Sequence, residues 1–183
     1  MNFQKAFVTG GAGFIGSHIV DALLARGTPV VVYDNFCTGQ ESFLPAGAAR
    51  LEVVRADVLD RPKLEAAMQG CDFVFHFQAN ADVRGGVKNT GVDLEQNTLT
   101  TWNVLEAARK NQVKGLAFAS SATIYGEPTV FPTPEAYAPL QTSLYGASKY
   151  AGEAMIQAYS EYFGIQSFIY RFVSWIGERY THG

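Results

Sequence analysis

Apolar residues in this chain come in short, nearly unbroken runs, each ending at a polar or glycine-rich stretch, with amphipathic segments between them. Phe3 to Val8, Val30-Val31-Val32-Tyr33, Leu51 to Val54, Asp72 to His76, Gly115 to Ser120 and Ile165 to Phe172 have the length and β-branched or aromatic content of strands buried on both faces. The intervening stretches predict helices. Phe14 to Arg26 is followed by Gly27, and Asp60-Arg61-Pro62 opens a segment that runs to Met68. A long helix is predicted from about Asp93 to Asn111, with Leu99, Trp102, Leu105 and Ala108 as its apolar stripe. A last helix is predicted over Tyr145 to Phe163, stopped by Gly164. Residues 35–49, 78–90 and 126–144, the last with four prolines, predict loops.

Six strands alternating with helices predict an α/β fold, a doubly wound parallel sheet with helices on both faces, in one domain over residues 1–183. No repeat or internal domain boundary is visible. The polar and glycine-rich positions 9–16, 34–39, 57–58, 77–85, 120–126 and 173–177 all follow strand ends. Such sheets bind their ligands at the carboxyl edge.

Composition narrows the function. Hydrophobic residues make up 48% and charged residues 17%, and 14 basic against 17 acidic residues leave a net charge of −3. That balance argues against nucleic acid as the main partner. No apolar run reaches the roughly 18 residues a membrane helix needs, and the N-terminus lacks a signal-peptide pattern. Cys37 and Cys71 have no motif spacing and are expected as buried free thiols of a cytoplasmic protein, a disulfide being the lesser alternative. Three scattered histidines, His18, His76 and His182, predict no metal site. His76 reads as a packed strand residue.

Three constellations carry chemistry. Gly10, Gly13 and Gly16 form a glycine-rich turn between a strand and a helix, where first-turn amides favour an anion such as a pyrophosphate. Asp34, at the end of the second strand, suits the two hydroxyls of an adenosine ribose and would repel a 2′-phosphate, favouring NAD over NADP. The alternative for Asp34 is a turn former. Asp57 could reach the adenine edge or cap a turn. Tyr145 and Lys149 lie four apart on one helix face. The ammonium and the helix start are expected to lower the phenol pKa toward a working acid/base, the alternative being an aromatic packed on a loop. Ser121, at the end of the fifth strand, could share a proton with that tyrosine.

In this order the motifs Thr9–Gly16, Asp34-Asn35, Asp57-Val58, Ser121–Gly126 and Tyr145-Gly146-Ala147-Ser148-Lys149 resemble the extended short-chain dehydrogenases/reductases, in particular the nucleotide-sugar epimerases and dehydratases, over essentially the whole chain. The resemblance implies a Rossmann fold and a tightly held NAD that takes a hydride from a sugar carbon and returns it. Tyr145 would be the acid/base, Lys149 would hold the nicotinamide ribose, and Ser121 would assist. It also implies Phe14, Ile15, Asn35, Val58, Phe77, Ala79 and Asn97 as NAD neighbours.

Within that family the 4,6-dehydratases carry an Asp-Glu pair where this chain has Ala122 and Thr123, and decarboxylases tend to keep a glutamate at the second place. Ser-Ala-Thr resembles the 4-epimerases, so the resemblance implies 4-epimerisation of a UDP-sugar. A dehydratase or reductase, or a non-catalytic NAD-binding domain, are the alternatives. Ser174 stands where relatives place an asparagine that contacts the substrate diphosphate; Gln78, Thr100 and Glu178 also depart from the pattern. Relatives dimerise through helices matching 93–111 and 145–163, which implies a homodimer. They also continue beyond the point matching Gly183, so the chain reads as a truncated piece with the C-terminal substrate domain largely missing.

Overall fold

The computed structural model describes residues 3–180; His182 lies outside them. Six strands form one sheet in the order β3-β2-β1-β4-β5-β6, with every neighbouring pair parallel. They are β1 (Ala6–Thr9), β2 (Val30–Asp34), β3 (Leu51–Arg55), β4 (Phe73–His76), β5 (Gly115–Ser121) and β6 (Gln166–Phe172). The helices are α1 (Phe14–Ala25), α2 (Arg61–Ala67), α3 (Thr100–Lys110) and α4 (Leu144–Phe163). The doubly wound α/β architecture is the one the alternation of runs predicts. The first strand begins at Ala6 rather than Phe3; Phe3 instead stacks on Phe73 at 4.7 Å.

Register explains the continuous apolar runs. Every residue of β1, β2 and β5 is buried. Along β1 and β2 successive side chains point to opposite faces. Ala6, Val8, Val30 and Val32 pack with Val20 and Leu23 of α1. Phe7, Val31 and Tyr33 join Leu64 of α2, Val104, Leu105 and Ala108 of α3, and Ile156 of α4 in the larger core. One face thus holds α1 and the other the remaining helices, as right-handed crossovers in this strand order require. Toward β6 the α1 face is aromatic: Phe75, Phe77, Tyr170, Phe172 and Trp175 line a cleft of about 470 Å³.

Three local expectations need correction. The predicted long helix begins with a π-helical stretch, Leu94–Leu99, before α3. There the hydroxyls of Thr100 and Thr101 donate to the carbonyls of Gln96 and Asn97, at 2.7 and 2.6 Å; such bonds to the preceding turn bend helices. A period of three also drifts around a helix of 3.6 residues per turn. The buried face of α3 therefore follows Thr101, Val104, Leu105 and Ala108, whereas Leu99 is 43% exposed and Trp102 lies under the Arg61 guanidinium. Both cysteines are free, but only Cys71 is buried. Cys37 sits on the loop after β2, where no core reaches it.

Candidate active site

The glycine turn leaves the centre of the sheet. Gly10 has φ +68°, and a Cβ there would lie 2.8 Å from the backbone nitrogen of Gln78. A Cβ at Gly16 would stand 2.1 Å from the Gly10 carbonyl oxygen. Only glycine permits this closeness. At Gly13 the added atom would meet nothing but that carbonyl, at 3.2 Å, so the turn is open on its outer side. Gly13 also occupies the N-cap of α1 and no side chain caps the helix. The first-turn donors, at Phe14, Ile15 and Gly16, are left to an incoming acceptor.

Asp34 is buried at the end of β2. One carboxylate oxygen accepts from Ala12 N (2.9 Å), the other from Phe36 N (2.8 Å). The turn-former alternative is thus visible directly, and the same carboxylate ties the glycine turn to β2. Each oxygen keeps a lone pair for a ribose hydroxyl. Asn35 donates to Asp57 at 2.9 Å, and Asp57 also accepts from Leu59 N. Val58 is buried, its carbonyl accepting from Asn103. Asp34, Asn35, Asp57 and Val58 therefore meet at the ends of β2 and β3. Phe77 donates its backbone N–H to Thr9 (3.2 Å) and, with half-buried Ala79, lies on the loop after β4.

Asn97 is placed differently from a surface cofactor contact. It is buried, accepts from Asn80 N (2.7 Å) and donates to Asp93 and to Ser148 Oγ (3.1 and 2.9 Å). Both amide hydrogens are used within the protein.

Ser121, Tyr145 and Lys149 come together. Ser121 ends β5 beside the start of α4, and its Oγ accepts from both the backbone N–H and the hydroxyl of Thr123 (3.2 and 3.0 Å). Its own proton is then left to turn toward the nearby Tyr145 oxygen, and a bond there would favour the tyrosinate. Burial outweighs it, and the phenol stands above its ordinary value, with Asp93 adding to the rise. The sequence predicts a lowered phenol; desolvation, invisible in a spacing pattern, reverses the sign. Lys149 donates to the Ala119 carbonyl at 2.8 Å, with its ammonium 5.8 Å from the Tyr145 ring centre. It is itself brought down to about 8 by burial, against the pull of Asp93.

Two polar networks go beyond the motif readings. His76 is buried, with Nδ1 2.8 Å from Thr9 Oγ1 and Nε2 3.0 Å from Thr101 Oγ1. Thr9 Oγ1 accepts from Phe77 N and Gln78 N, leaving its proton for Nδ1. Thr101 gives its proton to Asn97 O, so it accepts from Nε2–H. His76 is therefore a neutral strut between the glycine turn and α3, and burial, aided by Lys149, pushes it down to about 3. One turn further along α4, Glu153 accepts from Ser120 and from Arg171, and Arg171 also donates to Tyr125 Oη and Glu135 O, both at 2.7 Å. Glu153 lies four residues beyond Lys149, a spacing that signals a shared face; its partner in β6 has no such local signal. Ser174 is exposed beyond β6. Among the described residues no three His, Cys, Asp or Glu side chains group as metal ligands, and no helix is long and apolar enough to cross a membrane.

A glycine turn at an uncapped helix start, a buried carboxylate at the end of β2 and a Ser-Tyr-Lys group lie on one edge of a doubly wound α/β sheet. Residues 6–183 match the NAD dependent epimerase/dehydratase family. The chain is 40% identical over 174 residues to a putative UDP-glucose 4-epimerase of Methanocaldococcus jannaschii, an alignment covering 94% of this chain and 56% of that protein. Among solved structures it resembles a UDP-galactose 4-epimerase (41% identity, TM-score 0.91, 98% of this chain and 59% of that one). It also resembles the Thermus thermophilus UDP-glucose 4-epimerase complex with NAD (40% identity, TM-score 0.86, 92% and 54%). The chain belongs to the NAD-dependent epimerase/dehydratase family. It spans about half the length of the relatives it matches.

Proposed function

We propose that this chain binds NAD and supplies the acid/base residues of a UDP-sugar 4-epimerase. The observation that carries the reading is the meeting of Ser121, Tyr145 and Lys149 at the sheet edge that also holds the glycine turn. The residues fit the cofactor: the uncapped start of α1 suits a pyrophosphate, and the free lone pairs of Asp34 suit the adenosine ribose. Asn35, Asp57 and Val58 lie at the adenine end, and Phe77 and Ala79 border the nicotinamide end.

When bound, NAD would supply the reversible hydride acceptor for sugar carbon 4. Tyr145 takes the proton from the 4-hydroxyl as the carbonyl forms and returns it on reduction. Ser121 stabilises the phenolate by donating to it, and Lys149 adds positive charge one turn away. A neutral phenol at rest is the proton-donor form; a cation nearby would bring it toward the donor-acceptor balance the cycle needs. Loss of water from the sugar would need a further acid and base. Ala122 has no polar side chain, and Thr123 spends its hydroxyl on Ser121, which favours epimerisation.

The same reading takes a cytoplasmic homodimer that pairs helices 93–111 and 145–163. It is supported by exposed Leu94, Leu99 and Tyr150 on those segments, and light scattering giving a monomer would remove it. The functional test is incubation of the complete natural polypeptide with UDP-glucose and with UDP-galactose, followed by proton NMR. Interconversion is expected, with Tyr145→Phe inactive. No interconversion of these sugars or of their N-acetyl or uronate forms would overturn the proposal.

A further inference from the structure

Asp93 begins the helical stretch that leads into α3 and is 1% exposed. One carboxylate oxygen accepts from Asn80 Nδ2 (2.9 Å) and Asn97 Nδ2 (3.1 Å). The other, Oδ2, is buried without a hydrogen-bond partner. Gly86 closes over it so tightly that an added Cβ would stand 2.9 Å from that oxygen. A buried carboxylate with an unsatisfied oxygen is costly unless an opposite charge compensates it. The cation that feels this carboxylate is on α4, beyond ion-pair distance. Lys149 is likewise buried, and its one hydrogen bond goes to a neutral carbonyl.

The same aspartate reaches α4 through bonds. Asn97 donates to Asp93 and to Ser148 Oγ, and Ser148 donates to the Tyr145 carbonyl at 2.8 Å. We propose that Asp93 is the counter-charge and positioning residue of the Tyr145–Lys149 pair, keeping the lysine ammonium charged inside the fold and, through Asn97 and Ser148, fixing the turn that carries Tyr145. The groups facing this pair are few. Asp93 acts on both members, and His76 of β4 faces Lys149 as a neutral ring. Ser121 of β5 meets the phenol, and Tyr145 and Lys149 face each other along α4. Asp93 opposes burial at Lys149 and adds to burial at Tyr145. Removing its charge therefore lowers the titration midpoint of both.

The inference rests on the acid/base reading of Tyr145 and Lys149, but its readout needs neither cofactor nor turnover. The chain is labelled with 13C-lysine, and Lys149 is assigned by its loss in Lys149→Met. In the parent Lys149 is expected to titrate near 8. In Asp93→Asn the midpoint should fall by about one pH unit or more, with the backbone spectrum preserved. An unchanged midpoint in the folded variant overturns the proposal. If Asp93→Asn does not fold, Lys149→Met and the parent are compared by thermal melting at pH 5 and pH 7. Without the ammonium the buried carboxylate is unopposed, so the variant should lose more stability at pH 7. An equal loss at both pH values contradicts the proposal. A shifted lysine in a full-length protein that turns over no sugar would sink the functional reading and leave this inference standing.

Discussion

The two ends of the carboxyl edge are built from different materials. Around β1, α1 and β2 the site is backbone: Gly10 and Gly16 at closest approach, the Ala12 amide held by Asp34, and the Phe77 and Gln78 amides held by Thr9. Around β5, α4 and β6 it is side-chain charge taken out of water: Lys149, Asp93 and Glu153, with Arg171 closing the network. A backbone site depends on conformation and hardly responds to pH. A buried-charge site depends on partners and should respond strongly to pH and to single charge deletions.

The sharpest way to separate the halves is Tyr145→Phe in the complete polypeptide. Turnover should fall about 10²–10⁴-fold, the range of a lost acid/base, while NAD affinity measured by calorimetry stays within a few-fold. Loss of NAD binding in step with turnover would erase the division. Next comes Arg171→Met, which leaves the Glu153 carboxylate buried without its cation. A stability loss of about 3–5 kcal/mol is expected in urea unfolding, with Arg171→Lys recovering part of it; a neutral result would mean that the network is not structural.

The third prediction uses His76, which belongs to both halves. Its ordinary value is 6.5 and its folded value about 3, so between these pH values the unfolded chain binds a proton that the folded chain refuses. The stability contributed is full above pH 6.5 and drains as pH falls toward 3, by several kcal/mol, since a tenfold change in proton affinity is worth about 1.4 kcal/mol. Urea melts across pH 4–7 should show this slope in the parent and a flatter one in His76→Asn. Identical slopes would contradict the neutral strut. The smallest effect is expected at Gly10→Ala. A left-handed residue and a contact with the Gln78 backbone should cost about 1–3 kcal/mol and weaken NAD binding while leaving the Lys149 midpoint unchanged. A moved midpoint would show that the halves are coupled.

This division also explains what is legible in the sequence. Strands buried on both faces leave continuous apolar runs, and a backbone site leaves glycines at fixed spacing, so the sheet, the turn at Gly10–Gly16 and the place of Asp34 can all be read. Tyr145 and Lys149 are readable because one helical turn separates them. The partners of the charged half are not. Thr9, His76 and Thr101 meet across β1, β4 and α3; Glu153 and Arg171 lie 18 residues apart on different elements. No local period links them. The direction in which the Tyr145 phenol moves is hidden for the same reason, since desolvation depends on what the whole fold places around the ring. Leu99 and Cys37 belong inside on apolar character alone, which does not say which way a helix or loop faces.

The central claim is that the backbone half is an NAD site in its own right, read by Asp34. Calorimetric titration of the 183-residue chain with NAD and with NADP tests it most directly. One NAD per chain is predicted, with NADP at least about tenfold weaker because Asp34 repels the 2′-phosphate. A folded chain that gives no binding heat, or one that takes NADP equally well, would contradict the account.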